Sequence, residues 1–309
     1  MARRRKRGSF LDSKEVFISV LAVLSLVAVF CFVVTRPEFM GELLGDNDKI
    51  PSASEGEARV YFIDVGQGDC QLIVGGNGET MLIDAGESEY GDTVADFIRR
   101  LGIERLDYVV GTHPHSDHIG GLRQVISSGI EIGCVITPQI PEEYAPTTRT
   151  YERFLTAIEE SGVTLRASKN ESFSFGGGTV EIIQPEYYGD NYNNYSCCVI
   201  YEFGSVRFLF TGDLEKDMER QLVNRDLDLS ADVLKVAHHG SATSSCYDFL
   251  DSVIPKYCVI GCGDSGYNHP NPDVVTRLKE YTSEIYRTDN NGTVTFTCDG
   301  SGLSVACER

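Results

Sequence analysis

Residues 112–121 read THPHSDHIGG, which places His113, His115, Asp117 and His118 within six positions. The run before it, LDYVV (106–110), is apolar and has the length of a buried strand. In a turn leaving that strand, His113 and His115 can point one way while Asp117 and His118 serve a neighbouring position. Neutral imidazole and carboxylate suit zinc, manganese or iron. The spacing is not the helical HExxH arrangement. The segment therefore predicts a metal site at a strand end.

All six histidines of the chain fall in three such segments. His238 and His239 lie in AHHGS (237–241), where the strand-like run ADVLKVA (231–237) ends, and His269 lies in NHP (268–270). Asp213 closes TGD (211–213), directly after VRFLF (206–210), so its carboxylate can project from a strand end and bridge two metals. Its competing role is N-cap of a helix starting at Leu214. His238 completes a second metal position; His239 is a ligand, a donor behind the ligands or a substrate contact. Asp84 in LIDAG (82–86) orients a ligand histidine, binds metal indirectly or forms a turn before Gly86. Asp64 and Asp69 in DVGQGDC (64–70) line the cleft or form turns, in a glycine-rich loop without the GxxxxGK[ST] pattern. His269 contacts a leaving group or anionic substrate, or caps the helix that follows. No GxSxG or Cys-His nucleophile pattern is present, and Ser241 lacks the neighbours of a serine triad.

Strand-like and helical patterns alternate around these segments. RVYFI (59–63), CQLIV (70–74) and TMLID (80–84) predict strands, and 92–101 a helix with Val94, Phe97, Ile98 and Leu101 on one side. A helix through Ile126, a strand at 132–137, a helix at 147–160 and strands within 163–184 follow. CCVIYEF (197–203) and VRFLF predict a hairpin turning at Gly204-Ser205. Helices at 214–223 and 272–281, a strand YCVIG (257–261) and strands near 284–287, 293–297 and 302–306 complete the pattern. Two mixed β/α halves can pack sheet to sheet with helices outside, so that the polar strand ends meet at one edge.

The 309 residues suffice for a sizeable core, and the net charge is −19. Residues 1–35 sum to +4 and the remainder to −23, which argues against a nonspecific nucleic-acid binder while leaving room for local basic patches. VFISVLAVLSLVAVFCFVV (16–34) is uncharged. As a helix it rises roughly 28 Å, near the roughly 30 Å of a bilayer core. RRRKR (3–7) precedes it. This predicts a basic cytoplasmic tail (1–15), an uncleaved transmembrane signal-anchor (16–34), a flexible stalk (35–58) and an exported domain (59–309). The expectation is a single-pass cell-membrane protein, attached through its N-terminal anchor, with its domain extracellular. Of ten cysteines, nine lie outside the anchor and some can pair if exported, with Cys298 and Cys307 flanking a terminal hairpin. Cys70, Cys134, Cys197, Cys198 and Cys258 read instead as small buried strand residues.

The segments FIDVGQGDC (62–70), MLIDAG (81–86), THPHSDHIGG, NNYSCCVIYEFGSVRFLFTGD (193–213), LKVAHHGS (234–241) and NHP with PDVVTRLK (272–279) together resemble the metallo-β-lactamase superfamily. The closer resemblance is to the hydrolase domain of ComEC-type competence proteins and its stand-alone relatives, over about residues 58–300. It implies an α/β (α+β layered) αββα sandwich, here preceded by one transmembrane helix. It also implies a first metal held by His113, His115 and Asp213, and a second held by Asp117, His118, His238 and the shared Asp213. The wider superfamily commonly has a further histidine between the first motif and TGD. None lies between His118 and His238. Ser196 or Asn194 occupies that region, which leaves one or two ions open. With one apolar span, the chain is expected to lack the multi-span channel of full ComEC-type proteins.

The implied chemistry is hydrolysis with one or two divalent ions, zinc or manganese, that activate water as hydroxide. Asp117 or Asp213 would accept a proton, and His239 and His269 would stabilise the leaving side. The expected activity is that of a phosphodiesterase or nuclease, on DNA or a small phosphodiester. The alternatives are an esterase or lactonase acting on a small or cell-wall substrate, and a non-catalytic, metal-stabilised surface binding module.

Overall fold

The computed structural model describes residues 56–309. It opens with an antiparallel meander of β1 (Ala58–Phe62), β2 (Gln71–Val74) and β3 (Thr80–Ile83). Helix α1 (Gly91–Arg100) follows, its buried Val94 and Ile98 spaced one turn apart on the packed side. Then β4 (Arg105–Val110), α2 (Ser116–Ile119), α3 (Leu122–Ile126), β5 (Glu131–Thr137), α4 (Arg149–Ser161) and β6 (Thr164–Ala167) form helical crossovers between parallel strands of the same sheet. The Thr148 side chain caps α4 by accepting from the Tyr151 backbone N–H, and Gly162 ends it at φ 67°.

The second half repeats the plan. Strands β7 (Glu171–Phe175), β8 (Gly178–Ile183), β9 (Cys198–Phe203) and β10 (Val206–Phe210) are antiparallel. After α5 (Lys216–Asn224), β11 (Val233–Lys235), α6 (Tyr247–Val253), β12 (Tyr257–Ile260), α7 (Pro272–Leu278) and β13 (Glu284–Arg287) continue the sheet in parallel. The short α8 (Thr288–Asn291) returns the chain to the first sheet as β14 (Val294–Cys298) and β15 (Leu303–Cys307). The strand orders are β15-β14-β1-β2-β3-β4-β5-β6 and β13-β12-β11-β10-β9-β8-β7.

Apolar side chains from both sheets form the central core, where the Phe62 and Phe210 rings lie 5.8 Å apart and those of Phe208 and Phe296 6.1 Å. On the reverse face of the second sheet, Leu222, Phe249, Leu250, Val274 and Leu278 of α5, α6 and α7 complete a second core. On the first sheet, Phe97 of α1 meets Tyr61 edge to face at 5.5 Å. The layers are therefore αββα, as the pattern implies. The histidine and aspartate loops follow β3, β4, β10 and β11, which pair in parallel at the β3–β4 and β10–β11 junctions. Loops at the carboxyl ends of parallel strands are the usual site of function in α/β sheets.

Several expectations change. The apolar segment 16–34 lies outside the described residues, and among those residues no helix is long and apolar enough to cross a membrane. Among the described residues the fold is the sandwich alone. The transmembrane signal-anchor, the membrane partner, the single-pass topology and the extracellular placement find no support among the described residues. The helix expected through Ile126 is split into α2 and α3 at Gly120-Gly121. A Cβ on Gly121 would lie 2.2 Å from the Ala85 carbonyl oxygen, so only glycine permits this approach. Helix α6 was not expected. All nine cysteines among the described residues are free. Cys298 and Cys307 sit at opposite ends of the β14–β15 hairpin, opposite Leu303 and Val294 respectively, so the register separates them.

Candidate metal centre

Asp84, at the end of β3, organises the first histidine loop. It has φ 56°, a left-handed conformation that costs energy in any residue but glycine. Its Oδ1 accepts from the Thr112 backbone N–H at 2.8 Å. Its Oδ2 accepts from the Thr112 hydroxyl at 2.6 Å and from His118 Nδ1 at 2.8 Å. The Thr112 hydroxyl, its proton given to Asp84, faces His113 Nδ1 at 3.1 Å with a lone pair. Both His113 and His118 thus carry a proton on Nδ1 and direct their Nε2 atoms inward. His113 Nε2 lies 3.0 Å from His115 Nδ1.

The second histidine loop leaves β11. His238 and His239 are consecutive residues at φ 51° and 52°. Their rings part. His239 is buried, donates from Nδ1 to the Gly261 carbonyl at 2.8 Å, and directs Nε2 inward. That Nε2 lies 3.3 Å from His118 Nε2, 3.2 Å from Asp117 Oδ2 and 3.5 Å from Asp213 Oδ2. His238 sits at the rim, where its Nδ1 is 3.2 Å from the Thr243 hydroxyl and 3.7 Å from Glu215 Oε1. Its Nε2 is 3.8 Å from Asp213 Oδ2 and 3.5 Å from Asn193 Nδ2.

Asp213 ends the third loop. Gly212 before it has φ 50°, and the Asp213 backbone N–H donates to the buried Ser196 hydroxyl at 3.0 Å. Asp213 Oδ1 is 3.1 Å from His118 Nε2, and Oδ2 is 3.8 Å from His113 Nε2. Two groups result, each with ligand atoms within 4.8 Å of one another: His113, His115 and Asp213, and Asp69, His118, Asp213 and His239.

The donor set fits a divalent ion. The Nε2 lone pairs of His118 and His239 converge on carboxylate oxygens, and Asp213 Oδ1 is buried without a hydrogen bond. Lone pairs facing anions repel unless a cation lies between them. Charge states agree at three of the histidines. Burial pulls the His113, His115 and His238 pKa values down, which keeps these imidazoles neutral. Burial also opposes charge on His118 and His239, but Asp213 outweighs it, with Asp84 at His118 and Asp69 at His239, and raises both pKa values. A proton holds the place beside Asp213 that a bound ion would take, and metal binding would release it. Burial pushes the Asp213 carboxyl up, yet His118 and His239 outweigh it and hold it well below its usual range. Asp117 is likewise lowered: burial opposes, and the contact with His239 prevails.

The other expected residues separate. Asp64 faces away: its Oδ1 accepts from the Gly66 N–H at 3.1 Å and its Oδ2 pairs with Arg309 at 2.6 Å. Asp69 is buried and pairs with Lys235. Asn194 is buried, while its neighbour Asn193 reaches His238. Ser196 holds the Asp213 backbone rather than joining the ligand groups. Ser241 shapes a turn, its hydroxyl accepting from the Thr243 N–H at 3.3 Å. His269 lines the same pocket of about 670 Å³ as His115, Asp117, Asp213, His238 and His239. The His269 ring is 5.4 Å from that of His238, and Tyr267 stacks on it at 5.8 Å. Thr112, Asn193, Glu215 and Lys235 were not anticipated. Of these, Lys235 left a trace in the sequence, as a lone charge in the apolar run VLKVA (233–237).

Metallo-beta-lactamase superfamily is the description of the family whose profile matches residues 63–261, and the chain belongs to it. With the buried histidine–aspartate cluster, this makes the protein a metal-dependent hydrolase. It is similar to bacterial competence proteins. ComE operon protein 3 of Bacillus subtilis is 30% identical over 265 residues, covering 79% of this chain and 33% of that protein. Competence protein ComA of Neisseria gonorrhoeae is 30% identical over 253 residues, covering 81% and 33%. The chain thus spans about a third of the length of the curated relatives it matches. A mutant of the CmlA beta-hydroxylase shares the fold, with TM-score 0.51 and 15% identity over 80% of this chain and 54% of that one.

Proposed function

We propose that the protein is a phosphodiesterase, with its hydrolase unit at residues 59–309. The observation that carries this reading is the Asp213 carboxylate, common to two ligand groups. One carboxylate between two cation positions suits a clamp on the attacking and leaving oxygens of an in-line displacement at phosphorus. His113, His115 and Asp213 would hold one ion; His118, His239, Asp117 and Asp213 the other. Zinc suits the imidazole-rich first group, and zinc or manganese the second. When bound, such ions lower the pKa of water and offset charge developing on the phosphate.

The remaining work falls to the chain. Asp117, ionised and partly exposed to the pocket, accepts a hydrogen bond from the attacking water and orients it. His238 and His269, kept neutral by burial, face the leaving side. Tyr267, 71% exposed and stacked on His269, offers a flat surface to a base or an aromatic leaving group. Outside this pocket, Arg123, Arg149 and Arg153 line a groove of about 560 Å³ beside α3 and α4. None of the three makes an ion pair among the described residues, so they are available to phosphates of an extended substrate.

One observation favours a second reading, an esterase or lactonase. The catalytic pocket is lined by Glu87, Glu89, Asp117, Asp213 and Asp264, and among the described residues by no lysine or arginine. Purified protein with added manganese or zinc should be assayed on bis-p-nitrophenyl phosphate, a single-stranded oligonucleotide, a p-nitrophenyl carboxyl ester and a lactone. Cleavage of either phosphodiester is expected. Turnover of the carboxyl ester or lactone alone would replace the first reading with the second.

A further inference from the structure

Lys235 is a fully buried lysine, 1% exposed, on a strand whose other residues are apolar. Its Nζ pairs with Asp69, which is equally buried, and donates to the Gly212 carbonyl at 3.3 Å. A buried ammonium is retained only beside a matched anion, and the same holds for the carboxylate. Asp69 is itself rigidly placed. Its backbone N–H donates to the Asp117 carbonyl at 3.1 Å, and its carbonyl accepts from the Gly86 N–H at 2.8 Å. A Cβ on the preceding Gly68 would lie 2.5 Å from the Asp117 carbonyl oxygen, so no side chain fits between the two loops.

By distance alone Asp69 could join His118, His239 and Asp213 as a metal ligand. Its direction of approach argues otherwise. Asp69 meets the two imidazoles on their Nδ1 sides, 3.8 Å from His118 and 3.6 Å from His239. Those nitrogens already donate to Asp84 and to the Gly261 carbonyl. The Nε2 atoms, which converge on Asp213, face the opposite way. Asp69 therefore stands behind the rings.

We propose that Lys235 is a positioning residue, an internal counter-cation that takes up the Asp69 carboxylate and keeps it out of the metal ligand set. The chain thereby supplies its own positive charge at Asp69, which like Asp84 lies on the Nδ1 side of the histidines but, unlike Asp84, accepts no hydrogen bond there. The pair also ties β11 to the loop before Asp213 through the Gly212 carbonyl. The inference requires a metal-dependent hydrolase but not a phosphodiester substrate.

The test is cobalt(II) loading of the full chain, read by visible absorption and by equilibrium dialysis, with thermal unfolding alongside. Asp69→Asn is expected to keep the parental number of cobalt equivalents and the parental spectrum. Lys235→Met leaves Asp69 unpaired and free to turn toward the ion. It should shift the spectrum and tighten cobalt binding about tenfold, the lower end of what residues behind a ligand shell contribute. The double variant Asp69→Asn/Lys235→Met, which removes both charges, should restore the parental spectrum. Loss of a cobalt equivalent in Asp69→Asn, with cooperative unfolding preserved, would make Asp69 a ligand and overturn the proposal. A parental spectrum and affinity in Lys235→Met would reduce the lysine to packing. Should Lys235→Met not fold, Asp69→Asn and the double variant decide: parental cobalt equivalents in both support the proposal, and a lost equivalent in either overturns it.

Discussion

The two histidine loops bring rings to one cavity by different means. Residues 112–121 use spacing: His113 and His115 lie two residues apart in the bend before α2, and the start of α2 then presents Asp117 and His118. Packing fixes that loop from behind, with Asp84 gripping Thr112 and His118 and Gly121 pressed on Ala85. Residues 237–241 use handedness: two adjacent left-handed residues throw one imidazole inward and leave its neighbour at the rim. Which rings reach the cavity follows from sequence spacing in the first loop, and from backbone torsion in the second.

Asp213→Ala strikes both loops at once and should be the most severe change. A fall of about 10³-fold in kcat on whichever ester is turned over is expected, as for losing a preorganised charged group. Cobalt equivalents measured by dialysis should fall with it. An unchanged stoichiometry would separate Asp213 from both ligand groups. Within the second loop, His239→Ala should release metal, whereas His238→Ala should retain it and lose activity about 10²-fold, the lower end for a group that assists on the leaving side. Equal metal loss in the two variants would erase the asymmetry. In the first loop, Asp84→Asn removes an acceptor that sets the His118 tautomer, and should weaken metal binding by about 10- to 100-fold.

The smallest effect concerns the support of the second loop. Buried Glu219 accepts from the Ser245 and Cys246 backbone N–H groups just beyond it. Burial pushes the Glu219 carboxyl up to about 7, against partial compensation from those two donors. Its folded pKa exceeds the unfolded one, so the folded chain binds the extra proton. Stability is therefore greatest below about pH 4.5 for this group and declines as pH rises to about 7. The total is at most about 3 kcal/mol, a shift of several degrees in Tm. Melting curves at pH 5 and pH 8 should show that decline in the parent and a flatter response in Glu219→Gln. Equal slopes would mean that Glu219 ionises alike in both states.

Most of the layered fold was legible because its strands are short apolar runs bounded by turn residues. The expected hairpin at Gly204-Ser205 matches the observed β9–β10 register, in which Val206 lies opposite Phe203. Helix α6 was not legible, since YDFLDSV (247–253) is short and its helicity comes from burying Phe249, Leu250 and Val253. In the site, the 113–118 spacing carried its own geometry. The choice between His238 and His239 could not be read, because neighbouring residues differ in direction only through torsions that no residue type dictates. Asp69 and Asp64 look equivalent within one glycine-rich loop. Only the fold shows that one is buried against Lys235 and the other paired with Arg309.

Sharing Asp213 also makes the two ligand groups thermodynamically linked. A change that alters how the carboxylate is held on the His113 side alters what it offers on the His239 side, and the effect must run equally in both directions. Losses from substitutions in the two groups should therefore fail to add, with the deficit in a double-mutant cycle between His113 and His239 measuring that linkage.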